Sequence, residues 1–159
     1  MIQHSLTISY TEFLLEELPF GDRELIDASC TALKGSHSNY SGFAVGAALR
    51  LQSGVVVTGS NQENASSPCG ICAERTALFY AGAQYPEERI TDIAIAAAND
   101  EQPISPCGLC RQALLEVEQR QGAPIRLLLS SRERVYVIER VADLLPIGFI
   151  HTNKDIKAD

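Results

Sequence analysis

No stretch of this 159-residue sequence is apolar for long enough to cross a membrane, so a membrane-spanning chain is not expected. There is also no positively charged start running into an apolar stretch and a cleavage site, which points to a protein of the cytoplasm. Basic residues are few and scattered: 13 Lys and Arg stand against 20 Asp and Glu, for a net charge of −7. A polynucleotide binder needs a basic footprint to neutralise phosphates, so no nucleic-acid partner is expected. Disulfides are disfavoured, because five cysteines is an odd number and the chain is not small enough to need stapling. Internal repeats and low-complexity segments are lacking as well.

What is present is 45% hydrophobic, enough at this length for one domain with a core of its own. Residues 1–21 read as an N-terminal extension. In "SLTISYTEF", Leu6, Ile8 and Tyr10 alternate with Thr7, Ser9 and Thr11, predicting an extra strand that stops before Pro19–Gly21. Residues 22–150 form the main domain and 151–159 a C-terminal tail. "DRELIDASCTALKG" has helical spacing, with Asp22 as N-cap and Gly35 as stop. "FAVGAALRLQSGVVVTGSN" predicts two strands hinged at Ser53–Gly54, and "CAERTALFYAG" a helix ending at Gly82. A buried strand follows in "ITDIAIAAAN", then a helix in "PCGLCRQALLEVEQRQG" with Pro106 in its first turn. "PIRLLLSS" and "RVYVIE" predict two more strands, and "RVADLLP" a last short helix. Strands alternating with helices of this length imply a sheet covered on both faces. The expected fold is α/β: a three-layer α/β/α sandwich around a five-stranded mixed sheet.

The cysteines carry the chemistry. "SPCGICAER" holds Cys69 and Cys72, and "SPCGLCRQ" holds Cys107 and Cys110. Cys107 and Cys110 lie three apart at a helix start, so both thiolates can face one metal. Cys72 and Glu74 are two apart, which in mid-helix would splay them by about 200°. They can serve one site only if Cys72 sits at a helix N-terminus, and Pro68 and Gly70 just upstream agree with that. Two helix N-termini would then converge, and their partial positive charge favours the thiolates that zinc requires. Arg75 and Arg111, each directly after a motif, could offset the remaining negative charge. Four cysteines would close the site and make the metal structural, whereas three would leave a position open for catalysis. A closed site would leave Glu74 without a task. Taken singly, Glu74 reads as helix-dipole compensation and Arg75 as a surface partner. Taken together, C-A-E-R followed by P-C-x-x-C matches the zinc deaminase signature.

At these residues the sequence resembles the zinc-dependent cytidine deaminases, of the small three-cysteine, homotetrameric type. The likeness runs from about residue 22 to 149 and is carried by "YSGFAVGAAL" (40–49), "TGSNQENAS" (58–66), "CAER" (72–75), "SPCGLCRQ" (105–112) and "LLPIGF" (144–149). It implies one zinc per chain held by Cys72, Cys107 and Cys110, with Glu74 as proton shuttle. It implies that Asn61 and Glu63 bond the ribose hydroxyls and that Phe43 packs on the pyrimidine. The N–H of Ala73 and the carbonyl of Ser105 would read the base, Arg75 would bond the thiolates, and Phe149 would reach a neighbouring subunit's pocket. Cytidine and deoxycytidine would become uridine and deoxyuridine. The sequence departs from the family at Ser67, where an aromatic is common, and at Cys69, where a cysteine is unusual. A blasticidin-type deaminase fits the ribose-reading segment less well, and a strand-editing deaminase would need a basic surface. A structural zinc module would use all four cysteines, and a redox protein would leave C-A-E-R unexplained.

Overall fold

The computed structural model describes residues 1–98 and 101–150. Six strands, β1 (Thr11–Leu14), β2 (Val45–Leu51), β3 (Val56–Ser60), β4 (Ile90–Ala97), β5 (Arg126–Ser130) and β6 (Arg134–Ile138), form one sheet in the order β1-β6-β5-β4-β2-β3. Only β4 and β5 pair in parallel, and the helix α3 (Gly108–Gln121) connects them. α1 (Phe20–Ala32) precedes β2, and α2 (Ala73–Gln84) joins β3 to β4.

The two-residue period of the strands sorts the core into two faces. Ala48, Ala94 and Leu128 lie with Leu25 and Ile26 of α1, while Leu49, Ile93, Ile95, Leu127 and Leu129 lie with Leu78 of α2 and Leu114 and Leu115 of α3. Small residues under α1 let that helix sit close. A Cβ on Gly46 of β2 would come within 2.1 Å of the Ser29 carbonyl oxygen. The long apolar runs of β2 and β4 thus mark central strands buried on both sides, giving the three-layer α/β/α sandwich expected. Removing one fully buried leucine such as Leu114 would cost about 2–5 kcal/mol.

The sheet has six strands where five were expected, and the sixth is supplied by the extension. It is shorter and later than "SLTISYTEF" predicts. β1 pairs antiparallel with β6, Thr11 opposite Val137, and β6 ends one residue further on, so the ladder runs out. Leu6, Ile8 and Tyr10 are exposed, with Tyr10 resting on Tyr136 at a ring separation of 4.8 Å.

Asp22 is not the N-cap of α1. Pro19 holds that position, and Asp22 lies buried in the first turn. A buried carboxylate needs partners. Asp22 takes Arg126 at 2.5 Å and Arg50 at 3.8 Å, and Asp92 takes the same two arginines at 2.7 and 3.3 Å. These four charges cancel and tie α1 to β2, β4 and β5. α2 runs past Gly82 to Gln84 and stops at Tyr85, the residue before Pro86, where helical geometry is disfavoured. Pro106 lies ahead of the α3 cap instead of in its first turn, and Gly122 ends that helix with a φ of 63°. The last short helix is a 3₁₀ turn, Val141–Leu144. Among the described residues no helix is long and apolar enough to cross a membrane.

Candidate active site

Strand pairing brings two helix starts together. Ser60 at the end of β3 lies opposite Gly46, and Ala97 at the end of β4 lies opposite Val45, so both strands finish at the same edge of the sheet. The chain leaves β3 toward α2 and β4 toward α3 from that edge. Cys72 is the N-cap of α2 and Cys107 the N-cap of α3, with Cys110 in the first turn of α3. Neither cap side chain bonds a backbone N–H of its own helix, which leaves the sulfurs to face one another.

Cys72 Sγ lies 3.8 Å from Cys107 Sγ, Cys107 Sγ lies 3.5 Å from Cys110 Sγ, and all three sulfurs fall within 4.8 Å of one another. A tetrahedral zinc with bonds of about 2.3 Å sets its sulfur ligands about 3.8 Å apart, so the cluster suits one zinc ion. Cys69 does not join it. That cysteine is exposed at the end of a 3₁₀ turn, Ser67–Cys69, and three sulfurs leave a tetrahedral position open.

The surroundings favour thiolate at Cys72. The Cys72 thiol is pulled down to about 5, first by its hydrogen bond with Cys110 and then by Arg75, with burial acting in the opposite sense. Arg75 Nη2 sits 3.8 Å from Cys72 Sγ, while its buried Nε has no partner among the described residues. Cys110 shifts up, because it is the donor toward Cys72 and is buried. Arg111, the other expected counter-charge, is committed elsewhere. It donates to the carbonyls of Pro106 (2.8 Å) and Leu144 (3.0 Å) and to Ser105 Oγ (2.9 Å), bracing the loop that leads into α3. Glu74, the second residue of α2, is buried, and its carboxyl is pushed above the ordinary range mainly by that burial.

A cleft of about 470 Å³ opens beside Cys72, lined also by Tyr40, Asn61, Glu63, Arg75 and Leu109 among others. Asn61 accepts from Ser36 Oγ at 2.6 Å and from the Val45 N–H at 2.9 Å, and its Nδ2 donates to the Phe43 carbonyl at 2.9 Å. Glu63 Oε2 accepts from the N–H groups of Tyr40 (2.9 Å) and Ser41 (3.2 Å), and Oε1 accepts from the Ser41 hydroxyl. These bonds, the Ser41 hydroxyl foremost, hold the Glu63 carboxyl below its ordinary range. Phe43 is partly exposed, Ala73 is the first, buried residue of α2, and Ser105 sits in the exposed loop before α3. Phe149 exposes its ring, while Gln112 of α3 bonds both its carbonyl (2.8 Å) and its N–H (3.3 Å). Ser36 and Ser41 were not singled out from sequence. Ser41 stands in "YSGF" two residues before the aromatic, the one hint available.

Two cysteine-capped helices and a buried glutamate define a zinc-binding site of the deaminase kind. Residues 21–122 match the family described as the cytidine and deoxycytidylate deaminase zinc-binding region, and the chain belongs to that family. A curated cytidine deaminase from Halalkalibacterium halodurans is 49% identical over 76 residues, which is 47% of this chain and 55% of that protein. The match therefore spans only about half the length of that relative. The solved cytidine deaminase from Burkholderia pseudomallei is 39% identical with a TM-score of 0.70, covering 79% of this chain and 97% of its own. The solved cytidine deaminase from Mycobacterium tuberculosis is 30% identical with a TM-score of 0.66, covering 80% and 96%.

Proposed function

We propose that the protein hydrolyses cytidine and deoxycytidine to uridine and deoxyuridine with release of ammonia, as a step in pyrimidine salvage. The observation that carries this reading is the three-sulfur cluster at two helix N-termini, with Cys72 lining a cleft and Glu74 buried in the same first turn of α2. Zinc held by Cys72, Cys107 and Cys110 would supply Lewis acidity toward a water molecule. Three thiolates on a dication leave a net charge near −1, which Arg75 and the two helix N-termini offset.

Glu74 takes the proton from the attacking water and gives it to the ring nitrogen, which makes the amino-bearing carbon electrophilic. It then moves the second water proton to the departing amine. Water and cytidine are consumed, uridine and ammonia form, and the carboxylate ends as it began. A carboxyl whose proton affinity is raised by burial is suited to this alternation. The N–H of Ala73 belongs to the first turn of α2 and has no acceptor within that helix, so it can donate to the base oxygen. The Ser105 carbonyl would accept from the amino group, and Phe43 would pack on the ring. Asn61 retains one N–H, and Glu63 Oε1 retains acceptor capacity for a ribose hydroxyl.

The reading extends to the whole chain. Residues 22–150 are the catalytic domain and β1 belongs to an added N-terminal segment. The partner is a small nucleoside, with neither nucleic acid nor membrane. Five unpaired thiols suit a reducing cytoplasm. Exposed Phe149 and the uncharged stretch around Ser67 support a homotetramer in which neighbouring chains complete each other's sites. The test follows ultraviolet absorbance of purified protein with cytidine, deoxycytidine and free cytosine. Both nucleosides should be converted and cytosine very poorly. Equal efficiency on cytosine would remove Asn61 and Glu63 from sugar recognition, and no turnover of either nucleoside would overturn the activity.

A further inference from the structure

Phe43 and Glu63 are linked by a chain of hydrogen bonds that runs through a single side chain. The Ser41 hydroxyl donates to Glu63 Oε1 and accepts from the Phe43 N–H at 3.0 Å. The other end of the Phe43 residue is held by Asn61 Nδ2 on its carbonyl. Asn61 Oδ1 in turn fixes Val45, the first residue of β2, so this second clamp is anchored to the sheet. The Tyr40 and Ser41 N–H groups also converge on Glu63, and the Ser41 hydroxyl carries this first clamp on to the Phe43 N–H. Gly42, between Ser41 and Phe43, has a φ of 70°, the left-handed region that favours glycine. Backbone bonds close the turn, the Gly42 N–H donating to the Ser38 carbonyl at 2.8 Å, and the hydroxyl ties its Phe43 end to Glu63.

Acceptor arithmetic says what the site can do. A carboxylate offers about four lone-pair positions. The loop fills three on Glu63, two on Oε2 and one on Oε1. A ribose hydroxyl can donate to the remaining position without displacing the loop.

We infer that Ser41 is a positioning residue for nucleoside binding, joining the sugar-reading carboxylate of Glu63 to the ring of Phe43 that packs on the base. This rests on the proposed deaminase reading, in which Glu63 meets ribose and Phe43 meets pyrimidine. Ser41 touches no reacting atom. Losing it leaves Glu74 and the sulfur cluster in place but uncouples the Phe43 N–H from Glu63, so binding suffers more than chemistry.

Steady-state kinetics of Ser41→Ala, Ser41→Thr, Glu63→Ala and the Ser41→Ala/Glu63→Ala double variant test this, with zinc counted in each. One hydrogen bond to a charged group is worth roughly tenfold or more in binding. Ser41→Ala should therefore raise KM for cytidine about tenfold, with kcat within about threefold and zinc retained. Ser41→Thr keeps the hydroxyl and should restore KM. Because both residues act through one chain of bonds, the double variant should be no worse than Glu63→Ala alone. An unchanged KM in Ser41→Ala, no rescue by threonine, or additive penalties in the double variant would each overturn the role of Ser41 while the wild-type enzyme stays active. A wild-type protein that leaves cytidine untouched would instead take away the deaminase reading, and the role of Ser41 with it.

Discussion

Replacing Gly59 with alanine should push α2 off the sheet and carry one of the three clustered sulfurs, that of Cys72, with it. Gly59 lies in β3 directly beneath the start of α2. A Cβ there would come within 2.6 Å of the Ala77 nitrogen and 2.7 Å of the Ala73 carbonyl oxygen, both backbone atoms that cannot turn aside. Ordinary contact begins near 3.5 Å, so the helix must move by about 0.8 Å. Overpacking of this kind costs about 1–3 kcal/mol, or roughly 2–10 °C in melting temperature for a domain of this size. The functional cost should be larger than that implies, because the displaced turn carries Cys72, Ala73 and Glu74. A misplacement approaching 1 Å is worth up to about 100-fold in rate, so kcat should fall about 10- to 100-fold in protein that is still folded. Gly46→Ala is the control. Its Cβ meets the Ser29 carbonyl oxygen at 2.1 Å, a worse clash, but the strain falls on α1, which holds none of the candidate site residues. Melting curves, zinc content and kcat per folded molecule would be measured for both. Wild-type kcat in Gly59→Ala, or an equal fall in kcat for Gly46→Ala, would refute the view that the β3–α2 contact sets the site.

Glu74→Gln should keep zinc and bind cytidine while losing at least about 100- to 10,000-fold in kcat, since it removes the proton carrier alone; a tenth of normal turnover would exclude that role. Cys69→Ser should retain one zinc per chain and most activity, whereas Cys107→Ser should lose the metal, as read by elemental analysis. Cys72 has its pKa depressed, so its thiolate contributes above the ordinary thiol range and is lost as pH falls through about 5. Arg75→Ala raises that pKa, and zinc release during acid titration should begin at a higher pH than in wild type; identical release curves would show that the guanidinium does not hold the thiolate.

The parts of this fold that local rules govern could be read from sequence. The apolar runs of β2 and β4, the Ser53–Gly54 turn and the C-x-x-C spacing of Cys107 and Cys110 all act within a few residues. Placing Cys72 at a helix start needed only the two-residue offset to Glu74. What escaped depends on distant partners. Asp22 has the chemistry of an N-cap, but Arg126, 104 residues away, draws its carboxylate into an ion pair. Arg111 follows its motif just as Arg75 does, yet Leu144 and the loop at Ser105 capture it. The extra strand begins at Thr11 instead of near Ser5 because β6 ends at Ile138, a limit set by another strand. Ser41 offers only its place in "YSGF" until Glu63 and Phe43 are seen on either side of its hydroxyl.

The central claim is that Cys72, Cys107 and Cys110 hold one catalytic zinc per chain. Its most direct test strips the protein of metal with a chelator and adds zinc back in steps, measuring conversion of cytidine to uridine at each. Activity should rise in proportion to bound zinc and level off at one ion per chain, with Cys69→Ser following the same line. Full cytidine turnover by metal-free protein, or saturation at one zinc that restores the fold but no activity, would contradict the account.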